Sequence, residues 1–381
     1  QGGGEAVATG RAGPAVAVRL IAEPKSGSRH TSAVRMLGEK AWGRDTGDIA
    51  ASGPLVELGS RLVAGGYRKT PEGDFAATLE AFDRESGAPP ASWQAPLAEG
   101  VAVALVGGAT KAGHDRIVFA VKDVVGKGPA TPLKMRVFET GASLQPRELF
   151  SLDLPTGAVV VETSLVRVGR EVVVTYSIRA SNERQDARSD ADDYDLGSCR
   201  FRSVSMVERR DAKTGALTAF KRLDGYVITS AVARASGEVV LAGSLAPDCA
   251  SRGQAVAVAL DSSLSLSPIY GNQDRSFSEV RAMAVMPDGG LLMAISMANL
   301  LDYTVPERLG DDTPRGSDPR RHMSAMVVLL DPAGSFRGAT MLDAGSDIFL
   351  SAVEASRPED LIVGGSMGGE AALIHLTQKR P

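Results

Sequence analysis

The stretch that decides the fold is Ile228-TSAVARASG, then Glu238-VVLAGS, then Ala255-VAVALDSSLSLS. Apolar residues alternate in the first and third segments, the second is a short apolar run, and Ser236-Gly237 and Asp261-Ser262-Ser263 mark the turns. Period-two alternation broken by Ser, Asp and Gly is the signature of short antiparallel strands joined by tight turns. Working outward, the middle segment recurs as Glu5-AVATG, Arg61-LVAGG, Arg116-IVFAV, Glu171-VVVTY, Gly290-LLMAI and Asp360-LIVGG. The steps between successive starts are 56, 55, 55, 67, 52 and 70 residues. No segment carries a sustained helical period.

A unit of four antiparallel strands repeated about seven times predicts an all-β chain, a β-propeller of four-stranded antiparallel blades. Seven blades is the first choice, and six plus an irregular unit the second. Each recurring segment is expected to be the second strand of its blade. In the first copy that makes Glu5-AVATG the second strand and the run from Ala15 the third. The first unit then lacks an innermost strand, and the last lacks an outer strand after Leu376.

The segments EVVLAGS with AVAVALDSSLSL, and LLMAIS with AMVVLLDPAGSF, resemble the SBBP-type seven-bladed propeller repeats of secreted bacterial proteins. The likeness runs through nearly the whole chain. It implies a propeller fold and an extracytoplasmic setting, but no particular activity, because propellers host binders and enzymes alike.

Two steps are long, and their surplus can be placed. From the start of the second strand to the acidic residue closing the third takes 22 or 23 residues in three units (Arg61 to Asp83, Arg116 to Glu139, Glu238 to Asp261). It takes 40 from Glu171 to Asp211 and 41 from Gly290 to Asp331. Residues 178–200 and 298–323 are therefore long loops between second and third strands, projecting from one face. Residues 1–4 read as a Gly-rich tether, such as follows a secretion or lipoprotein cleavage site, and 5–381 as a single domain.

Composition bounds the rest. Glycine supplies 42 of 381 residues, above the usual ~7% and in keeping with many tight turns. A hydrophobic share of 43% against 23% charged excludes global disorder. The net charge of −4, with no Lys/Arg stripe, argues against nucleic-acid binding. No apolar stretch approaches the ~20 residues of a membrane-spanning helix.

The candidate chemistry lies in the two loops. Asp190, Asp192, Asp193 and Asp195 could offer oxygens to Ca²⁺. Their spacing fails the EF-hand pattern, so a solvated acidic loop is the preferred reading and no cofactor is expected. Cys199 and Cys249 precede the third strands of consecutive units, and are expected to form a disulfide in an oxidising compartment. No Cys or His spacing supports zinc. Asp302, Asp311, Asp312, Arg321 and His322 bring carboxylate, guanidinium and imidazole groups to the second loop. Met283, Met293 and Met326 read as core rather than copper ligands, and Gly364-Gly365-Ser366-Met367-Gly368 as a strand ending rather than a nucleophile elbow, since no helix follows. The expected function is a non-catalytic extracytoplasmic binding or assembly module that presents both loops to a protein or other extracellular ligand. The alternative is a propeller hydrolase or lyase with an axial site built from several blades.

Overall fold

The computed structural model describes residues 16–22, 31–37, 42–47, 49–50, 55–69, 75–88, 91–94, 102–111, 116–125, 134–154, 158–181, 201–246, 253–272, 278–298, 323–342, 347–357, 360–367 and 370–376. These residues form seven antiparallel sheets in chain order. The first holds β1 (Val16–Ala22), β2 (Thr31–Leu37) and β3 (Trp42–Gly47). The second holds β4 (Ile49–Ala50) and β5 (Leu55–Leu58), which both pair with β6 (Arg61–Lys69), then β7 (Phe75–Asp83) and β8 (Ala91–Gln94). The third runs β9 (Ala102–Lys111), β10 (Arg116–Val125), β11 (Lys134–Gly141) and β12 (Arg147–Asp153). The fourth runs β13 (Ala158–Val168), β14 (Glu171–Ser181), β15 (Phe201–Asp211) and β16 (Leu217–Asp224). The fifth runs β17 (Tyr226–Ala233), β18 (Val239–Leu245), β19 (Gln254–Leu260) and β20 (Leu266–Gly271). The sixth runs β21 (Ser278–Val285), β22 (Leu291–Ala298), β23 (Met323–Leu330) and β24 (Phe336–Leu342). The seventh holds β25 (Ile348–Arg357), β26 (Asp360–Met367) and β27 (Glu370–Leu376).

The second strands explain why the sheets stack. A strand with polar residues on one face can leave that face in water, but these strands are apolar on both. Val239–Ala242 and Leu291–Ile295 are fully buried at every position, so each sheet needs a neighbour on either side. Five apolar clusters result. One sets Val166, Val173 and Val207 of the fourth sheet against Ile228, Val239 and Leu241 of the fifth. Another sets Val240, Ala242 and Ala257 against Val280, Met283 and Met293 of the sixth, with Met326 packed on it. The methionines are core filler. In the second and third sheets the joint is aromatic, with Trp93 edge-on to Phe119 at 5.5 Å and Phe119 stacked on Phe138 at 5.4 Å. First strands pack on first strands, β9 on β13, β13 on β17, β17 on β21 and β21 on β25. Fourth strands carry exposed apolar residues, among them Phe220 and Phe336. Such meanders, with inner strands side by side, are built as propeller blades are.

Two expectations change. β1 touches β5 and β2 touches β4, as β14 and β15 touch β17 in the fourth sheet. So β1 is the second strand of its sheet, β2 the third and β3 the fourth, one place out of phase with the sequence reading. Residues 5–10 lie outside the described residues. The residue of the third sheet that corresponds to Asp83 and Asp211 is not Glu139 but Gly141. Arg61 pairs with Asp83, Glu171 with Asp211 and Arg116 with Gly141.

Within each sheet the strands alternate in direction. Upper end here means the end where second strands lead to third strands and each sheet leads to the next. β14 stops at Ser181 and β15 resumes at Phe201; β22 stops at Ala298 and β23 resumes at Met323. Both long connections therefore leave from the upper end.

In the fourth to seventh sheets the first strand carries a one-residue bulge, at Val161, Thr229, Arg281 and Ser351. A bulge bends the strand and re-aims its side chains. Just before it, Ile228 pairs with Gly243 and Leu350 with Gly365. A Cβ on Gly243 would run into the carbonyl oxygen of Val227, and one on Gly365 into that of Phe349. These close backbone approaches require glycine in the fifth and seventh sheets, whereas the fourth and sixth place Ile178 and Ile295 at the same position. Gly243→Ala should therefore destabilise the protein by about 1–3 kcal/mol, the usual cost of overpacking. Gly338→Ala, with open space around it, should stay within about 0.5 kcal/mol. Urea unfolding of both variants checks this, and equal effects would contradict it.

Candidate functional site

On the inner side of the sheets, four charged residues from three sheets come together. Arg281, the bulged residue of β21, places Nη1 2.7 Å from Glu279 Oε2 and 3.7 Å from Glu162 Oε1 of β13. β17 runs between those two first strands in chain order, so Arg281 reaches past an entire sheet. Lys122, on β10 of the third sheet, acts on the same Glu162 through its charge. The strand register explains the placement. Glu162 follows the bulge of its strand directly; the corresponding residues in the next three sheets are Ser230, Ala282 and Ala352. A carboxylate thus stands where the other sheets place a small side chain.

Burial governs the electrostatics. It pushes the Glu162 carboxyl above the usual carboxylate range; the Arg281 charge opposes that rise, Glu279 adds to it and Lys122 opposes it. Burial also pulls the Lys122 ammonium below its usual value, against the pull of Glu162. Glu162 binds its proton more tightly in the folded state than in the unfolded one. Its ionisation therefore withdraws stability as pH rises from the ordinary carboxylate value through the raised one. Groups held ionisable against solvation in this way are common where ligands bind or protons move. The cluster offers two cations, one carboxylate fixed by Arg281 and one carboxyl whose proton burial holds more tightly than usual. It can hold a polar or zwitterionic group, and Glu162 can donate or accept a proton.

All four residues lie toward the upper ends of their strands, the end from which residues 182–200 and 299–322 depart. The joints at this end are polar as well. Ser177 Oγ and Ser205 Oγ lie 2.7 Å apart, and Ser177 Oγ accepts the Ile228 N–H at 2.8 Å. Thr229 Oγ1 donates to the carbonyl of Val280, fastening the fifth sheet to the sixth. Backbone and side chain together hold the inner strands, and hence the cluster, in place.

Asp190, Asp192, Asp193, Asp195, Cys199, Cys249, Asp302, Asp311, Asp312, Arg321 and His322 all lie outside the described residues. Among the described residues no group of three or more His, Cys, Asp or Glu side chains is placed to hold a metal ion. Gly364–Met367 is strand, paired with β25 and β27, as expected of a repeat ending. Lys122, Glu162, Glu279 and Arg281 were missed. The available signal was a charge inside an otherwise apolar inner strand, as in Ala158-VVVETSLV and Ser278-EVRAMAV.

No protein-family model matches the chain, and no curated protein sequence matches it. Among solved structures it is similar to the β-propeller domain of the trilobed protease from Pyrococcus furiosus. That match has 10% identity, covers 97% of this chain and 95% of that one, and has a TM-score of 0.49. It is similar to the Dos1 propeller at 12% identity, over 92% and 76%, with a TM-score of 0.45. Cobalt-substituted Synechocystis ACO matches at 12% identity, over 85% and 70%, with a TM-score of 0.47. At these identities and scores the likenesses carry no argument about function.

Proposed function

We propose that the chain is a single seven-bladed β-propeller that works as an extracytoplasmic binding or assembly module, with its upper end as the binding face. The observation that carries this reading is the convergence of Lys122, Glu162, Glu279 and Arg281 at the end from which both long connections depart. Long loops on a rigid scaffold are where recognition concentrates, and the cluster gives them a charged floor. In this reading Asp190, Asp192, Asp193, Asp195, Asp302, Asp311, Asp312, Arg321 and His322 meet a protein partner or other extracellular ligand. Cys199 and Cys249 are disulfide-bonded and tie the first connection to the neighbouring sheet.

A second reading is favoured by one observation, the raised Glu162 carboxyl. A carboxyl whose proton affinity burial raises, beside Arg281 and Lys122, is equipped for general acid–base work. In that case the module is a hydrolase or lyase, and Glu162 is its catalytic residue.

One series of proteins separates the two. The wild type, a form with residues 182–200 and 299–322 replaced by short Gly-Ser linkers, and Glu162→Gln are immobilised and exposed to envelope extract of the source cells. The binding reading expects a specific partner on the wild type, at least tenfold less on the shortened form, and weakened capture by Glu162→Gln. Unchanged capture by the shortened form overturns it. Polysaccharide or polyuronide turnover by the wild type that disappears in Glu162→Gln replaces it with the enzyme. Alkylation of the same preparations without reductant should find no reactive thiol; two would remove the disulfide.

A further inference from the structure

The lower end of the third sheet departs from its neighbours. In the second, fourth, fifth and sixth sheets the third strand ends in an aspartate whose Oδ1 accepts N–H groups of the following turn. Asp83 takes Glu85 N–H and Ser86 N–H at 3.1 and 2.8 Å, and Asp211 takes Lys213 N–H and Thr214 N–H at 2.9 and 2.7 Å. Asp261 takes Ser263 N–H and Ser265 N–H, both at 2.8 Å, and the Ser263 hydroxyl at 2.7 Å; Asp331 takes Ser335 N–H at 2.7 Å. These bonds hold the carboxyls of Asp83, Asp211 and Asp261 below the usual range, chiefly through Ser86 N–H, Thr214 N–H and the Ser263 hydroxyl in turn.

The third sheet makes the same turn without the acid. Gly141-Ala142-Ser143-Leu144-Gln145 matches Asp261-Ser262-Ser263-Leu264-Ser265 position by position. Leu144 and Leu264 both adopt left-handed backbone, with φ of 50° and 61°. Both donate their N–H to the carbonyl of the first turn residue at 3.1 Å, and both are buried. Ser143 therefore keeps the N–H and hydroxyl that Ser263 directs at a carboxylate, and Gln145 keeps the matching N–H. Only the carboxylate is missing.

Positive charge surrounds the gap. Arg116 faces Gly141 across the strand pair, as Arg61 faces Asp83, where its charge lowers the Asp83 carboxyl. The buried Glu139 carboxylate binds Arg116 Nη1 at 2.7 Å, Arg147 Nη2 at 3.4 Å and Arg167 Nη1 at 3.4 Å. Three guanidinium groups share one carboxylate. The side chains of Arg116 and Arg147 are each 60% exposed, and a guanidinium carries five N–H donors, more than the single bond to Glu139 uses.

We propose that this turn is an oxyanion site: one oxygen of a carboxylate, phosphate or sulfate group takes the place of the absent Asp Oδ1. It accepts from Ser143 N–H, Ser143 Oγ–H and Gln145 N–H, with Arg116 and Arg147 supplying the charge. The ligand is the acidic group of a partner or small molecule. The site lies at the opposite end of the sheets from the proposed binding face, so either reading can fail alone.

The test titrates isotope-labelled protein with sodium acetate, phosphate or sulfate at constant ionic strength, with chloride as the reference salt, and follows the Ser143 and Gln145 amide resonances. Saturable shifts with a dissociation constant on the order of millimolar are expected, weakened at least tenfold in Arg116→Gln. Gly141→Asp supplies the carboxylate internally; Gly141 is not among the residues with positive φ, so its backbone suits a non-glycine residue. That variant should show the shifted resonances without added anion, ignore all three salts and melt higher than the wild type. A response to acetate alone identifies a carboxylate ligand, and a response to phosphate or sulfate a tetrahedral oxyanion. Amides that no anion moves, or that respond equally in Gly141→Asp, overturn the proposal. If Gly141→Asp does not fold, the Arg116→Gln comparison decides: equal affinity with and without Arg116 overturns it too.

Discussion

The structure depends on burying both faces of each second strand. Val172–Val174, Val239–Ala242 and Leu291–Ile295 are fully buried, and no single sheet can shield such strands. Stacking is therefore obligatory, and it fixes much else. First strands are brought side by side, fourth strands are left at the rim, and the turns fall into two sets at opposite ends. In the fifth and seventh sheets the bulged first strand presses close enough on its neighbour that only glycine, Gly243 and Gly365, leaves room for a carbonyl oxygen.

The bulges connect scaffold and site. In the fifth sheet the bulged residue is Thr229, which hydrogen-bonds the next inner strand. In the sixth it is Arg281, which reaches a carboxylate of the fourth. The same local irregularity thus serves as a fastening in one sheet and as a charged arm in another. Repetition sets the frame, and two departures from it stand out. Glu162 stands where Ser230, Ala282 and Ala352 stand in later sheets. Gly141 stands where its neighbours have aspartate. One departure adds a charge to the inner side, and the other leaves amide donors without their acceptor.

Much of the frame was legible in the chain. Alternation and turn residues located the strands from Arg61 to Leu376, and the surplus between Glu171 and Asp211, and between Gly290 and Asp331, put both long connections between second and third strands. The first unit was misphased because second and third strands draw on the same apolar residues, so Val16-AVRLIA reads as either. Contacts between sheets, absent from a sequence, separate them. Glu139 was taken for the turn acid because spacing alone cannot resolve two residues, whereas the pairing of Arg116 with Gly141 does. The inner cluster was invisible for a different reason. Lys122, Glu162 and Arg281 are far apart in the chain, and only the curvature of the stacked sheets makes them neighbours.

The third, fourth and sixth sheets meet around Glu162 in a partly desolvated, charged floor. The most direct measurement is a carbon-detected NMR titration of the Glu162 carboxyl, in the wild type and in Arg281→Met. The account predicts a midpoint above the ordinary glutamate value in the wild type, moving higher still when the Arg281 charge is removed. A midpoint at the ordinary value that is indifferent to Arg281 would contradict it.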